Sequence, residues 1–131
     1  MPHSKHQDVW INMPSAAKER KAIPIMTGVV DYFPSALIEI AKVSKAGNDQ
    51  HNPGEALHWA REKSTDQADT ILRHLIERGT LDTDGLRHTA KAAWRCLALL
   101  QEEIEKEQKL MPCAYDDAPQ WIKDIMQGKK S

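Results

Sequence analysis

The sequence predicts an all-α fold, a helical bundle of three to four main helices with an irregular N-terminal arm. Apolar residues recur every three to four positions in several long stretches, which is the period of a helix that buries one side. Glycine, proline and clusters of small polar residues separate these stretches, as is typical of loops between helices. No stretch of any length alternates apolar and polar residues, so no sheet is predicted.

Composition limits the function classes. With 131 residues the chain suffices for one domain with its own core. A formal net charge of −1 gives no general attraction to nucleic acid or to an anionic membrane. No apolar run approaches the roughly 20 residues that span a bilayer. Cys96 and Cys113 lack the spacing of a metal motif, and Cys96 is expected to be a buried thiol. We expect a cytoplasmic protein, from a bacterium or a phage-infected host, that binds neither a membrane nor, stably, nucleic acid.

The chain divides into three parts. Residues 1–22 are polar without a sustained period and are interpreted as the arm. Residues 23–110 form the helical domain, beginning with an apolar segment at 23–34 that we expect to pack across it. Residues 111–131 are expected to add a short helix from Pro119 to Gln127, docked on the same domain.

The first main helix is predicted to open at Pro34, because proline suits a first helical turn, and to stop at Gly47. A polar loop follows to residue 54, and then a short helix from Glu55 to about Lys63. Ser64 or Thr65 is expected to cap the next helix, which Gly79 ends.

The longest helix is predicted from Gly85 to about Lys109, capped by Thr83 or Asp84. Apolar stripes on these two helices should face the core. On the first the stripe comprises Ala68, Ile71, Leu72 and Leu75, and on the second Leu86, Ala90, Ala93, Leu97, Leu100 and Ile104.

An acidic face runs along the helix after Ser64. Asp66, Asp69 and Arg73 share it at helical spacing. A solvated surface with acid–arginine pairs is the more frequent meaning of such a pattern. The functional alternative is a pair of hard oxygen ligands for Mg²⁺, with the arginine close to a phosphate.

The turn between the last two long helices is the second candidate site. Asp82 and Asp84 lie in it, and His74 and His88 flank it on antiparallel helices that a tight turn brings close together. Two histidines and two aspartates suit a transition metal or acid–base chemistry. Helix capping by Asp84 and a core position for His88 are the structural alternative, and the spacing alone does not choose.

The loop GNDQHNPGE carries a third set, which includes Asn48 and His51. Such side chains can contact a base or a phosphate, although polar loops usually have no site. Trp59 and Trp94 are more often core residues than base-stacking platforms. The chain contains no P-loop, G-x-G-x-x-G, G-x-S-x-G or C-x-x-C pattern.

These stretches resemble a known family. The segments KERKAIPIMTGVVDYFPSALIEIAKVS, GNDQHNPGEALHWAREKSTDQADTILRHL and ERGTLDTDGLRHTAKAAWRCLALLQEEIE are similar to the phage and bacterial dATP/dGTP diphosphohydrolases over about residues 18–105. The family's marks fall on these positions: Asp69, Arg73-His74, Asp82, Gly85, His88 and Ala93-Trp94. Unlike related MazG-type enzymes, the chain has no E-x-x-E on its first main helix, where Glu39 stands alone, and has D-x-x-D at Asp66 and Asp69.

The resemblance implies hydrolysis of dATP or dGTP to the monophosphate and pyrophosphate, with Mg²⁺ or Mn²⁺ as cofactor, by a homo-oligomer. The residue pattern and the resemblance together lead us to expect three sets of site residues. The catalytic set is Asp69, His74, Asp82 and His88; the metal set is Asp66, Asp69, Asp82 and Asp84; the substrate set is Lys63, Arg73, Arg95, Asn48, His51 and Trp59. The alternative is a non-catalytic phage-derived helical module that binds a nucleotide or a protein.

Overall fold

A computed structural model of the protein describes residues 11–110, which contain four α-helices. These are α1 (Ala17–Lys21), α2 (Pro34–His51), α3 (Gln67–Ile76) and α4 (His88–Gln108). A π-helical turn spans Met26–Val30 and a 3₁₀ turn spans Arg61–Lys63. These residues include no strand, and one isolated antiparallel bridge joins Leu81 to Arg87. The all-α prediction is confirmed.

Helix α2 begins at Pro34 as predicted but continues through Gly47 to His51, so the predicted stop at Gly47 is wrong. The reason is a set of contacts beyond the glycine that stabilise another turn. The backbone N–H of Asn52 donates to the backbone carbonyl of Asn48 at 2.7 Å. The Lys63 ammonium donates to the His51 carbonyl at 2.8 Å, which places a cation at the negative end of the helix.

The segment between α2 and α3 is mostly irregular, so the predicted helix from Glu55 to Lys63 is wrong apart from its last turn. Its backbone bonds instead to one buried side chain. The Asn48 amide nitrogen donates to the Glu55 carbonyl at 3.2 Å, and its oxygen accepts from the His58 backbone N–H at 3.2 Å. A residue whose backbone groups are satisfied in this way gains little from helical pairing.

Both remaining helices are shorter at the start than predicted. Helix α3 starts at Gln67, and neither Ser64 nor Thr65 caps it. It ends at Ile76, ahead of Gly79, which has φ +85°. Helix α4 starts at His88 because Gly85, with φ +82°, still belongs to the turn. The Asp84 carboxylate accepts from the Leu86 N–H at 3.0 Å within that turn and does not cap the helix.

Helices α3 and α4 pack antiparallel, and α2 packs on α4. Their buried contacts are small or polar. The buried apolar residues are Ala60, Ala90, Ala92 and Ala98, and the buried polar ones include Gln67, Thr70 and His88. The predicted core stripes are therefore partly wrong. Leu72, Leu75, Leu97 and Leu100 are all exposed, because alanine and hydrogen-bonded polar groups fill the space between the helices.

Other apolar predictions also differ from the structure. Cys96 is exposed rather than buried. Ile23, Ile25, Met26 and Val29 are exposed, so the apolar segment at 23–34 does not bury them in this domain. Part of the predicted arm is helical, at α1. The predicted helix from Pro119 to Gln127 lies outside the described residues.

Among residues 11–110, no single helix is long and apolar enough to cross a membrane. Residues Ala17–Val30 and Pro34–His51, bent by 84°, meet that requirement as a pair by length and composition only.

Candidate functional site

A cleft of about 200 Å³ opens between the C-terminal half of α2, the segment before α3 and the N-terminal half of α4. Four of the six residues predicted to bind substrate line it. They are Asn48, His51, Trp59 and Arg95. His74 and Asp84 from the predicted catalytic and metal sets also line it, together with Lys91 and Trp94. The cleft thus joins the polar loop to the turn between α3 and α4.

Two tryptophans form an aromatic wall of the cleft. The rings of Trp59 and Trp94 meet edge to face, with centroids 5.6 Å apart and planes at 81°. The Arg61 guanidinium lies 3.9 Å from the centre of the Trp59 ring. Arg61 in turn donates to both oxygens of the buried Glu105, at 2.6 and 3.1 Å. This chain of contacts fixes Trp59 against α4.

Asn48 lies in the cleft wall but uses its side chain to hold the loop. Besides the two backbone contacts described above, its oxygen accepts from the Asn52 amide at 3.1 Å. Both asparagines are buried. The structure therefore assigns Asn48 a part in shaping the cleft, and its contact with a substrate stays a prediction.

At the other end of the cleft, two histidines and an aspartate meet. The Nδ1 atoms of His74 and His88 lie 2.9 Å apart, and His88 Nδ1 is 4.0 Å from Asp82 Oδ2. Each of the three residues offers a ligand atom within 4.8 Å of the others, the one such group among residues 11–110. His88 is buried, and its far nitrogen, Nε2, lies 3.5 Å from Glu77 Oε2. The predicted approach of His74 to His88 is present.

Lys91 neutralises the two acids of the turn. Its ammonium donates to Asp82 at 2.7 Å and to Asp84 at 2.8 Å. The hydrogen bond from Lys91, with a second from the Thr83 backbone, lowers the pKa of Asp82 to about 2. The same lysine lowers the pKa of Asp84. Burial by itself lowers the pKa of Lys91, but the two carboxylates raise it overall.

His74 is held in its neutral form. Partial burial is the main cause that lowers its pKa, followed by electrostatic interactions with His88 and Lys91, which outweigh the opposing effect of Asp82. A neutral imidazole near pH 7 is the form that accepts a proton or binds a metal.

Asp66 joins two arginines at the edge of the cleft. It accepts from Arg73 Nη2 at 3.3 Å and from Arg95 Nη1 at 3.5 Å. The hydrogen bond from Arg73 is the main cause that lowers the pKa of Asp66. Arg95 also donates to the Gln67 side-chain oxygen at 3.1 Å, so its guanidinium is oriented before any ligand arrives.

The structure does not gather all the predicted site residues. Asp69 is exposed on α3 and lies neither in the cleft lining nor in the histidine–aspartate cluster. Lys63 and Arg73 also lie outside the lining, each already paired as described. The four predicted metal ligands therefore do not form one set, and the roles of these residues stay predictions.

Lys91 and Trp94 are cleft residues that the sequence interpretation did not assign to the site. The available signal was spacing, because Lys91 follows His88 by three positions and so shares its helix face. A single lysine on a helix is normally solvated surface, so this spacing alone does not predict a site residue.

Comparison with known proteins identifies the family. The sequence profile described as "dATP/dGTP diphosphohydrolase, N-terminal" matches residues 14–111. The chain belongs to this family. A search of curated proteins and a search of solved structures each give no significant match.

The diphosphohydrolase-family match covers the whole of the site. Both ends of the cleft, the tryptophan wall and the cluster of His74, Asp82 and His88 fall within residues 14–111. The family assignment and the geometry therefore concern the same part of the molecule.

Proposed function

We propose that the protein is a metal-dependent nucleoside triphosphate pyrophosphohydrolase that converts dATP or dGTP to the monophosphate and pyrophosphate. The observation that carries the proposal is the cleft. Its lining combines an aromatic wall with cationic side chains, and it opens beside the cluster of His74, Asp82 and His88. The family description supplies the reaction and the substrate class.

The aromatic end suits the purine. Trp59 and Trp94 offer flat apolar surface, and neighbouring polar side chains such as His51 can contact the edge of a base. A cleft with apolar walls and few polar groups is the usual form of a small-molecule site. The contact between Arg61 and the Trp59 ring keeps this surface in place without a ligand.

The cationic side chains of the cleft suit the triphosphate. Arg95 presents a planar guanidinium, which binds phosphate oxygens in pairs, and its bonds to Asp66 and Gln67 orient it. Lys91 adds a second cation to the lining. Cleavage breaks the bond between the α-phosphorus and the oxygen that bridges to the β-phosphorus, and water supplies the new oxygen on the α-phosphate.

His74, Asp82 and His88 are the residues that would hold a divalent ion. When bound there, such an ion would neutralise phosphate charge and favour the ionisation of water. The lowered pKa values favour a neutral His74 and an ionised Asp82, and these are the forms that metal ligands require. Glu77 lies beside His88 and can orient its ring.

The test is a panel of dATP, dGTP, dCTP and dTTP incubated with the protein and, in separate reactions, Mg²⁺, Mn²⁺ or Co²⁺. We expect pyrophosphate and a deoxynucleoside monophosphate, with dATP or dGTP cleaved fastest. Arg95→Gln should raise KM for the triphosphate by about tenfold, since one charged hydrogen-bonding group is lost. Absence of pyrophosphate with every nucleotide and ion would overturn the proposal.

A second candidate is a non-catalytic module that binds a nucleotide in the same cleft. It is favoured by one observation. The four carboxylates expected to hold Mg²⁺ do not form one cluster, and three of them are paired with lysine or arginine. Binding of a non-hydrolysable dGTP analogue without any pyrophosphate release from dGTP would select this function.

A further inference from the structure

We infer that His74, Asp82 and His88 form a site for a divalent transition ion such as Zn²⁺ or Co²⁺ in preference to Mg²⁺. The inference deepens the proposed function. It rests on that function only for the statement that the bound ion takes part in hydrolysis. Binding itself requires no turnover. The ligand chemistry, the environment of His88 and the position of Lys91 each bear on it.

The ligand set selects the class of ion. Two imidazole nitrogens and one carboxylate oxygen suit zinc, cobalt and similar ions, whereas Mg²⁺ prefers about six oxygen ligands. Ligands about 2.0–2.1 Å from a tetrahedral ion lie about 3.3 Å from one another. The cluster has 2.9 Å between the two histidine nitrogens and 4.0 Å from His88 Nδ1 to Asp82 Oδ2, so small side-chain movements suffice.

The surroundings of His88 match those of a metal-binding histidine. Such a histidine usually presents its second nitrogen to a carboxylate or a carbonyl, which fixes the tautomer. Glu77 Oε2 lies 3.5 Å from His88 Nε2. A proton held at Nε2 leaves Nδ1 free, and Nδ1 is the atom that faces His74 and Asp82. The His88 side chain is 8% exposed, so the protein fixes this orientation.

Lys91 holds the acidic side of the site when no ion is bound. Its ammonium bonds to Asp82 Oδ2, the oxygen nearest to His88 Nδ1. A metal ion and Lys91 therefore compete for this oxygen. When the ion takes it, Lys91 keeps Asp84 or turns into the cleft that it lines. Lys91 thus limits affinity for the ion and is a positioning residue for Asp82.

The experiment measures ion binding to the full-length protein without nucleotide. Calorimetry with Zn²⁺, Co²⁺, Mn²⁺ and Mg²⁺ gives the affinities, and visible absorption of bound Co²⁺ reports nitrogen ligation. We expect Co²⁺ and Zn²⁺ to bind at least about 100-fold more tightly than Mg²⁺. His74→Gln and His88→Gln should each weaken Co²⁺ binding by more than about tenfold, and Glu77→Gln by about tenfold.

Lys91→Met is the variant whose expected effect on ion binding would not arise if the cluster were only structural. It should tighten Co²⁺ binding by about tenfold, because the competing cation is gone, while lowering the melting temperature of the ion-free protein. Matched controls are His58→Gln, for a histidine outside the cluster, and Lys45→Met, for a lysine whose exposed ion pair with Asp49 lies elsewhere. Neither control should change the affinity.

Three results would overturn the inference: Mg²⁺ binding as tight as Co²⁺ binding, no absorption from bound Co²⁺, or unchanged Co²⁺ affinity in folded Lys91→Met. Circular dichroism establishes that each variant is folded. Failure of the inference differs from failure of the proposed function. Pyrophosphate release with Mg²⁺ alone and no Co²⁺ binding rejects only the former, and Co²⁺ binding without hydrolysis rejects only the latter.

Discussion

Asn48 shows how one side chain determines the shape of the cleft. Its amide makes one donated and two accepted hydrogen bonds while buried. Asn48→Ala removes all three and leaves buried polar groups unpaired, so we expect it to lower the free energy of unfolding by about 1–3 kcal/mol. Urea denaturation measures the change, with Asp49→Ala as the exposed neighbouring control. Unchanged stability in Asn48→Ala would contradict this account of the loop.

Asp82 is the acid whose removal tests the cluster most directly. Asp82→Asn keeps the shape but removes the charge, and we expect turnover with dGTP to fall by at least about 100-fold if the carboxylate acts at the site. Steady-state rates and melting temperatures should be measured together. A folded variant with the wild-type rate would remove Asp82 from the site.

Asp69→Asn should be compared with Asp82→Asn, because the family pattern and the position of Asp69 in the structure lead to opposite expectations for its role in catalysis. The pattern assigns Asp69 to the catalytic set, and on that basis its loss lowers the rate by orders of magnitude. Its exposed position on α3, away from the cleft lining, instead favours a normal rate. A comparison of the two asparagine variants decides whether Asp69 contributes to catalysis.

The sequence correctly predicted the contacts between residues that the geometry of a short turn determines. A short turn between antiparallel helices necessarily brings together residues such as His74 and His88, which flank it. The sequence did not predict that Lys91 would bind Asp82 and Asp84, because that contact depends on how far the turn folds back over α4. Helical periodicity places Asp66 and Asp69 on one face of α3. It does not predict which face of that helix packs against another helix.

At the scale of elements, one buried ion pair joins the segment before α3 to the far end of α4. Arg61 and Glu105 have side chains 16% and 9% exposed, respectively. Removal of one partner leaves the other charge buried, so Glu105→Ala should cost about 3–5 kcal/mol of stability. Chemical denaturation checks this value, with the exposed Glu103→Ala as control. A loss below about 1 kcal/mol would show that the pair does not anchor the segment.

Glu39 forms ion pairs with Lys42 on α2 and with Arg87 at the start of α4, and their contribution should depend on pH. The hydrogen bond from Lys42, with further help from Arg87, lowers the pKa of Glu39 below its ordinary value of 4.5. The stabilisation is therefore fully present above that ordinary value and is lost as the pH falls through the lower pKa of the folded state. Glu39→Gln should melt below the wild type at pH 7, and the difference should shrink as the pH falls through the lowered pKa of Glu39. A difference that stays constant as the pH falls would contradict the assignment.

Helix periods and breakers correctly predicted that three long helices exist. Some boundaries were less predictable, because they depend on contacts from elsewhere in the chain. Helix α2 passes Gly47 because Asn48 and Lys63 satisfy its last turn. The segment from Glu55 is not helical because Asn48 binds its backbone. Such contacts join residues 7 to 12 positions apart, beyond the reach of local propensity.

At the scale of the whole molecule, residues 11–110 expose much apolar surface. Among residues 11–110 no large side chain is fully buried, whereas Leu72 and Ile76 on α3 and Leu97 and Leu100 on α4 are exposed. Apolar patches of this kind are typical of association surfaces. We predict that a second copy of the chain covers them, in agreement with the homo-oligomer expected from the sequence.

Light scattering at micromolar concentration tests self-association. We expect a dimer or larger assembly for the wild type and a shift towards monomer in Leu97→Glu and Leu100→Glu, since a charge on a buried apolar surface is costly. Glu103→Gln, on the same helix, serves as a control. A monomeric wild type would exclude association through these leucines.

The tryptophan wall gives the protein an optical reporter of its own. Two indoles in fixed edge-to-face contact couple electronically, so they should give a paired band of opposite signs in near-ultraviolet circular dichroism. The Trp59 indole N–H is buried and has no hydrogen-bond partner among the described residues, which favours blue-shifted emission. A nucleotide that enters between this wall and Arg95 would alter both signals. Trp94→Phe should abolish the paired band, and thereby make occupancy of the cleft measurable without any assay of turnover.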